Sequence, residues 1–173
     1  MVGEGRQLTL IQPDLCVNGV WDVDLGKLRE AGITDILIDI DNTIAPWGGY
    51  EIPPAVVDWL ERAKSLGFGV CLLSNNFASR VEHFSRRLGV PAVCGWVKPW
   101  PWGFRRALSV LGVEPGRAVM IGDQLFTDAA GAKRLGLMTI LVDPLSERES
   151  VYTRFKRRIE RLMGRKRPGE RMP

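Results

Sequence analysis

The run Asp35-Ile-Leu-Ile-Asp-Ile constrains the fold more than any other feature of this sequence. Ile36, Leu37, Ile38 and Ile40 leave it no face for water, so it reads as a strand buried on both sides. Such strands belong to parallel sheets covered by helices, and the downstream chain supplies the parts. Pro53 and Pro54 open a helix that reaches Leu66, with Val56, Val57, Leu60 and Ala63 on one side and Gly67 and Gly69 to stop it. Strands follow at Gly69–Ser74, Ala92–Cys94, Ala118–Gly122 and Met138–Val142. Helical patterns lie between them at Ala78–Leu88, Gly103–Leu111 and Phe126–Leu135. This alternation predicts one α/β domain, a parallel five-stranded sheet with helices on both faces.

Length suits a single core, since 173 residues fill about one domain. No stretch approaches the roughly 20 apolar residues that span a bilayer. The amino end lacks a basic segment followed by an apolar run, so it does not read as a secretion signal. Cys16, Cys71 and Cys94 are odd in number and lack metal-ligand spacing, as expected of reduced, packed thiols in a cytoplasmic protein. His83 stands alone in a helix and is expected at the surface.

Four segments are expected: an N-terminal segment over 1–34 packed on the domain, the domain itself over 35–145, a basic amphipathic helix over 146–163, and a disordered basic tail over 164–173. Within the first, Trp21 to Ala31 suits a short helix at the sheet edge. Charge separates the last two from the rest. Arg154 to Arg171 holds nine basic residues against Glu160 and Glu170, so this segment carries +7 of a net +4 and the remainder carries −3. Any attraction for anionic lipid, nucleic acid or an acidic partner therefore sits in the tail.

Ligands in parallel sheets bind beyond the carboxyl ends of the strands, and the polar residues of note fall there. Asp39, Asp41 and Thr43 leave the first strand, Ser74, Asn75 and Asn76 the second, Lys98 follows the third, and Asp123 ends the fourth with Asp128 a helical turn beyond. Hydrolysis of a phosphate monoester needs an in-line nucleophile, a proton for the leaving oxygen, and donors for the phosphoryl oxygens. Asp39, held by the strand, suits the nucleophile, and Asp41 suits the acid that becomes a base for water. Asp39, Asp123 and the carbonyl of Asp41 form a ligand set for Mg2+. Ser74, Asn75, Thr43 and Lys98 would hold phosphate, and Asp128 would orient Lys98 or a metal-bound water. Singly, each has a plainer role: Asp pairs and Gly-Asp cap turns, Ser74 caps a helix, Lys98 is a solvated loop lysine, Asp128 favours a helix start. Their succession at the strand ends favours the joint reading.

Asp39-Ile-Asp-Asn-Thr43, Ser74, Lys98-Pro and Gly122-Asp-Gln-Leu-Phe-Thr-Asp128 resemble, in order, the motifs of the haloacid dehalogenase superfamily, a Rossmann-like fold. The resemblance implies that Asp39 is the nucleophile and that Asp41 marks a phosphatase, because the ion-pumping members carry Thr at that place. Across the whole chain, including Pro13, Ser-Asn-Asn and the Tyr-Thr-Arg-Phe run at 152–155, the sequence is similar to the YqeG-type group of subfamily IIIA. That group is similar to phosphatidylglycerophosphate phosphatases, which implies a phospholipid substrate. The chain departs from the organellar enzymes in having Ile40, rather than a basic residue, between the two aspartates.

Neither Ile44–Val70 nor Asn76–Val97 has room for an inserted domain of about 50 residues. No cap domain is expected, and an open site admits large or membrane-presented substrates. Trp47, Trp96, Trp100 and Trp102 fall on loops at that end, where they either wall the pocket or form a rim for a bilayer interface. Val151, Phe155, Ile159 and Leu162 give the C-terminal segment an apolar stripe, suited to anionic lipid at the inner membrane face or to docking on the domain. The alternatives are a phosphatase acting on protein or nucleic-acid phosphates, and a phospho-accepting switch without turnover. No feature makes a strong case for nucleic acid.

Overall fold

The computed structural model describes residues 12–95 and 97–146. Beyond Ser146, the basic helix expected over 146–163 lies outside the described residues, as do the tail at 164–173 and Trp96. The sheet has six parallel strands: β1 (Leu15–Val17), β2 (Asp35–Ile38), β3 (Gly69–Ser74), β4 (Ala92–Cys94), β5 (Ala118–Gly122) and β6 (Met138–Val142), in the order β1-β6-β5-β2-β3-β4. Helices are α1 (Leu25–Glu30), α2 (Pro54–Ser65), α3 (Ala78–Leu88), α4 (Pro101–Leu111) and α5 (Ala130–Lys133).

The five expected strands are β2 to β6, and the sixth corrects the expected count. It comes from the N-terminal segment, where three residues are too few to show any periodicity. Asp14 anchors it: Oδ2 accepts from the Thr139 amide and hydroxyl, both at 2.8 Å, and Oδ1 lies 3.0 Å from Lys133 Nζ. The segment then packs on the sheet, α1 capped by Asp24, whose Oδ1 accepts from the Gly26 and Lys27 amides. Trp59 of α2 donates from its indole to the Val23 carbonyl at 2.8 Å.

Alternation along each strand divides the core between the faces. Ile36, Ile38, Val70, Leu72, Val119 and Ile121 meet α2 and α3 through Trp59, Leu60, Val81 and Phe84. Leu37, Cys71, Leu73 and Met120 meet α4 through Phe104, Ala107 and Leu108. Burial pushes the Cys71 thiol up to about 12, so it packs as an apolar group. His83 is exposed, as expected, with its ring edge-on to Tyr50 and Phe84.

The expected helix from Phe126 instead begins as a π turn over Leu125–Ala129 and tightens into α5. Between β2 and β3 the chain builds α2 and no other helix, and between β3 and β4 only α3, so no cap domain is inserted at either place. No helix among the described residues is long and apolar enough to cross a membrane.

Trp59→Phe should cost about 1–3 kcal/mol in urea unfolding, because the buried Val23 carbonyl loses its donor. Unchanged stability would mean that the N-terminal segment is not docked as described.

Candidate active site

The chain leaves β2 for β3 and β4, then returns to β5 on the other side of β2, so the strand order switches between β2 and β5. Loops diverge at such a switch and leave a crevice at the carboxyl ends. Asp39 stands one residue past β2 and Asp123 one past β5. The Asp39 amide still donates to the Ile121 carbonyl at 2.9 Å, so the sheet holds the backbone beneath that carboxylate.

Lys98 joins the group from the loop after β4. Its Nζ lies 2.6 Å from Asp39 Oδ1 and 2.7 Å from Asp128 Oδ1, with all three side chains buried. One carboxylate oxygen from each of Asp39, Asp123 and Asp128 lies within 4.8 Å of the other two. Asn75 fixes the lysine: its Nδ2 donates to the Lys98 carbonyl and its Oδ1 accepts from the Lys98 amide, both at 2.8 Å. The side-chain amide of Asn75, expected on phosphate, is engaged by the Lys98 main chain. Asp128 accepts from the Gln124 amide at 3.0 Å, and it lies so close to Gly122 that a Cβ there would fall 2.5 Å from Asp128 Cγ. Glycine is thus required for Asp128 to reach Lys98.

Asp41 is held by partners of its own. Its Oδ1 accepts from Arg80 Nη2 at 2.8 Å and its Oδ2 from Asn76 Nδ2 at 2.9 Å. Asn42, at φ 60°, turns the chain beyond it, a conformation asparagine tolerates better than most residues. Thr43 is buried, and its Oγ1 has no hydrogen-bond partner among the described residues. Ser74 accepts from the Asn76 amide at 3.2 Å and does not cap α3, which Phe77 precedes. Arg80 was missed by sequence reasoning. The signal was present, since Arg80 lies on the stripe of α3 that buries Val81, Phe84 and Leu88.

The electrostatics follow from burial. Arg80 balances Asp41, and Lys98 balances one of the three clustered carboxylates, so the fully ionised group retains two uncompensated negative charges. One divalent cation would cancel that excess, and three oxygen donors at this spacing suit a hard ion. Without one, protonation is the remaining relief. Burial pushes the Asp39 carboxyl up to about 7; Lys98 pulls it down, while Asp128 and Asp41 add to the rise. Burial also works against the charge on Lys98, but Asp128 and Asp39 outweigh it and hold the ammonium protonated beyond the usual lysine range.

Lys98→Met should therefore cost about 3–5 kcal/mol, since it strands two buried carboxylates. A carboxyl whose folded-state pKa is raised favours the folded state most at low pH and loses that advantage as pH climbs through the raised value. Urea unfolding should accordingly show a larger loss at pH 8 than at pH 6. An equal loss at both would refute the assignment of charge.

Residues 6–136 match the family described as haloacid dehalogenase-like hydrolase. The chain is 37% identical over 149 residues to "Probable phosphatase YqeG" of Bacillus subtilis, covering 86% of this chain and 87% of that protein. It is 26% identical over 170 residues to "Phosphatidylglycerophosphate phosphatase 1, chloroplastic/mitochondrial" of Arabidopsis thaliana, covering 92% of this chain and about half, 48%, of the plant protein. A solved structure of an uncharacterised protein from Listeria monocytogenes shares the fold with a TM-score of 0.56 at 22% identity, over 68% of this chain and 85% of that one. A switch-point crevice lined by Asp39, Asp123, Lys98 and Asp128 in a chain so matched leaves one assignment: it belongs to the haloacid dehalogenase-like hydrolases and is a phosphatase of that family.

Proposed function

We propose that the protein is a magnesium-dependent phosphomonoesterase that works through an aspartyl-phosphate on Asp39 and takes a membrane-presented lipid phosphate of the phosphatidylglycerophosphate kind. The observation that carries the chemistry is the excess of buried carboxylate over cation around Lys98. Mg2+ held by Asp39, Asp123 and the Asp41 carbonyl, with Asp128 of the same cluster left to Lys98 and the Gln124 amide, would supply positive charge to the phosphoryl oxygens.

In the first step a carboxylate oxygen of Asp39 attacks phosphorus, the bond to the leaving oxygen breaks, and Asp41 gives that oxygen its proton. In the second, Asp41 takes a proton from a water that attacks the aspartyl-phosphate at phosphorus, releasing inorganic phosphate and restoring Asp39. Lys98, fixed by Asn75 and Asp128, offers its ammonium to the transferring group. Ser74 and Thr43 add hydroxyl donors, and the unpartnered Thr43 Oγ1 suits that task.

Support for a lipid comes from the surroundings of the site. Among the described residues no cap domain is inserted between β2 and β3 or between β3 and β4, which favours a substrate too large for a closed pocket. Trp47, Phe77 and Trp100 follow the adjacent strands β2, β3 and β4, with Trp102 in the first turn of α4, and they are 61%, 85%, 57% and 51% exposed. Indole rings favour the bilayer–water boundary. The basic sequence at 154–171 suits an anionic leaflet, which would place the protein peripherally at the inner membrane face. The plant relative named for phosphatidylglycerophosphate points the same way.

A substrate panel tests the reading: vesicles containing phosphatidylglycerophosphate, a phosphoserine peptide and a 5′-phosphorylated oligonucleotide, each with Mg2+. The lipid should be hydrolysed fastest, chelation should stop turnover, and Asp39→Asn should abolish it with the fold intact. Faster cleavage of peptide or oligonucleotide would remove the lipid assignment, and turnover by Asp39→Asn would remove the mechanism. In addition, replacing Trp47, Trp100 and Trp102 together by Ser should weaken sedimentation with anionic vesicles about tenfold or more, and undiminished binding would discard the aromatic rim.

A further inference from the structure

Arg80 occupies a position that α3 gives to its core. It is buried beside Val81, Phe84 and Leu88, where an arginine costs several kcal/mol unless paired. Its one charged partner among the described residues is Asp41, at 2.8 Å from Nη2. Its Nε and Nη1 are buried without a hydrogen-bond partner there. What holds the guanidinium instead is aromatic: its carbon lies 4.9 Å from the Tyr50 ring centroid and 5.0 Å from that of Phe84. An arginine kept only to satisfy the fold would have its five donors satisfied. This one leaves Nε and Nη1 unsatisfied and turns Nη2 to the Asp41 carboxylate at 2.8 Å, with the Pro46 carbonyl a longer contact at 3.5 Å.

The second oxygen is held from the same stretch of chain. Asn76 donates Nδ2 to Asp41 Oδ2 at 2.9 Å, and its own Oδ1 accepts from the Phe77 amide at 2.7 Å. Two donors at the start of α3 therefore grip both oxygens of Asp41. The need for a grip follows from where Asp41 stands: it is past the end of β2, in the turn that Asn42 makes at positive φ, where the sheet no longer fixes it. Proton transfer requires heavy atoms about 2.6–3.2 Å apart, and a misplacement of about 1 Å can cost 10²-fold in rate. A carboxylate offers about four lone-pair sites, so two donors leave room for the transferred proton.

We infer that Arg80, with Asn76, is a positioning residue for the proton-transfer role of Asp41, its guanidinium plane set by Tyr50 and Phe84. The inference rests on the acid/base reading of Asp41 proposed above. It ties the accuracy of proton transfer to the packing of α3 on the sheet, through Phe84 in the core.

The test uses the dependence on leaving group. An alkyl oxygen must be protonated as its bond to phosphorus breaks, whereas p-nitrophenolate departs without a proton. The kcat/KM for the best alkyl ester of the substrate panel is compared with that for p-nitrophenyl phosphate. Asp41→Asn should lower the alkyl value by about 10²–10⁴ and the aryl value by under about tenfold. Arg80→Met should lower the alkyl value by about 10², again largely sparing the aryl ester, and Arg80→Lys should recover about tenfold of that loss. The double variant Asp41→Asn/Arg80→Met should match Asp41→Asn within about twofold, because both changes act through one group. Equal losses on the two esters in Arg80→Met, or a full further loss in the double variant, would overturn the role of Arg80 while leaving Asp41 in place. Equal losses in Asp41→Asn would instead remove the acid itself, and the inference with it. Should Arg80→Met fail to fold because it strands the Asp41 charge, the double variant decides, since it removes both members of the pair.

Discussion

Everything in the crevice depends on one ammonium ion between two buried carboxylates. Lys98 touches Asp39 and Asp128 at once, with Asp123 close enough to share a cation with both. No such group is stable for its own sake, because desolvating several ions costs more than a single pairing returns. The sheet imposes it: hydrogen-bonded strands place Asp39, Asn75 fixes the lysine main chain, and Gly122 gives Asp128 its approach. The residual negative charge is the chemical content of the site, and it fits a divalent cation and a phosphoryl group brought together.

Legibility in the sequence followed the strength of each physical signal. The run at Ile36–Ile40 can only be a doubly buried strand, and the alternation after it carries a parallel sheet with little ambiguity. β1 left no trace because three residues have no period, and its place beside β6 depends on Asp14 and Thr139, 125 positions apart. The π turn at Leu125–Ala129 was hidden for a related reason: its composition is that of a helix, and only the backbone bonds from the Ala129 amide to the Gln124 carbonyl and from the Ala130 amide to the Leu125 carbonyl show where the winding widens.

The site shows the same division. Asp39, Asp123 and Lys98 were legible because strand ends in a parallel sheet converge on one rim. The contact of Asn75 with the Lys98 main chain was not, since a side chain that braces another residue's main chain has the same sequence signature as one that binds a ligand. Arg80 was passed over because a charged residue in a helical stripe is ordinarily taken as the edge of the solvent face, although its spacing with Val81, Phe84 and Leu88 put it on the buried side; the Tyr50 and Phe84 rings, 4.9 Å and 5.0 Å from its guanidinium carbon, complete that burial. In the proposed reading the strand ends carry the chemistry, and the loops beyond them the choice of substrate. The exposed aromatics on those loops have no part in the charge balance, so the lipid assignment and the mechanism stand on separate observations.

The most direct test of the account is to quench the enzyme in acid during turnover and locate the phosphoryl group by mass spectrometry of its peptides. The account predicts a phosphorylated peptide bearing the group on Asp39, formed only when a divalent cation is supplied. A phosphoryl group on any other side chain, or the same yield with the cation chelated, would contradict it.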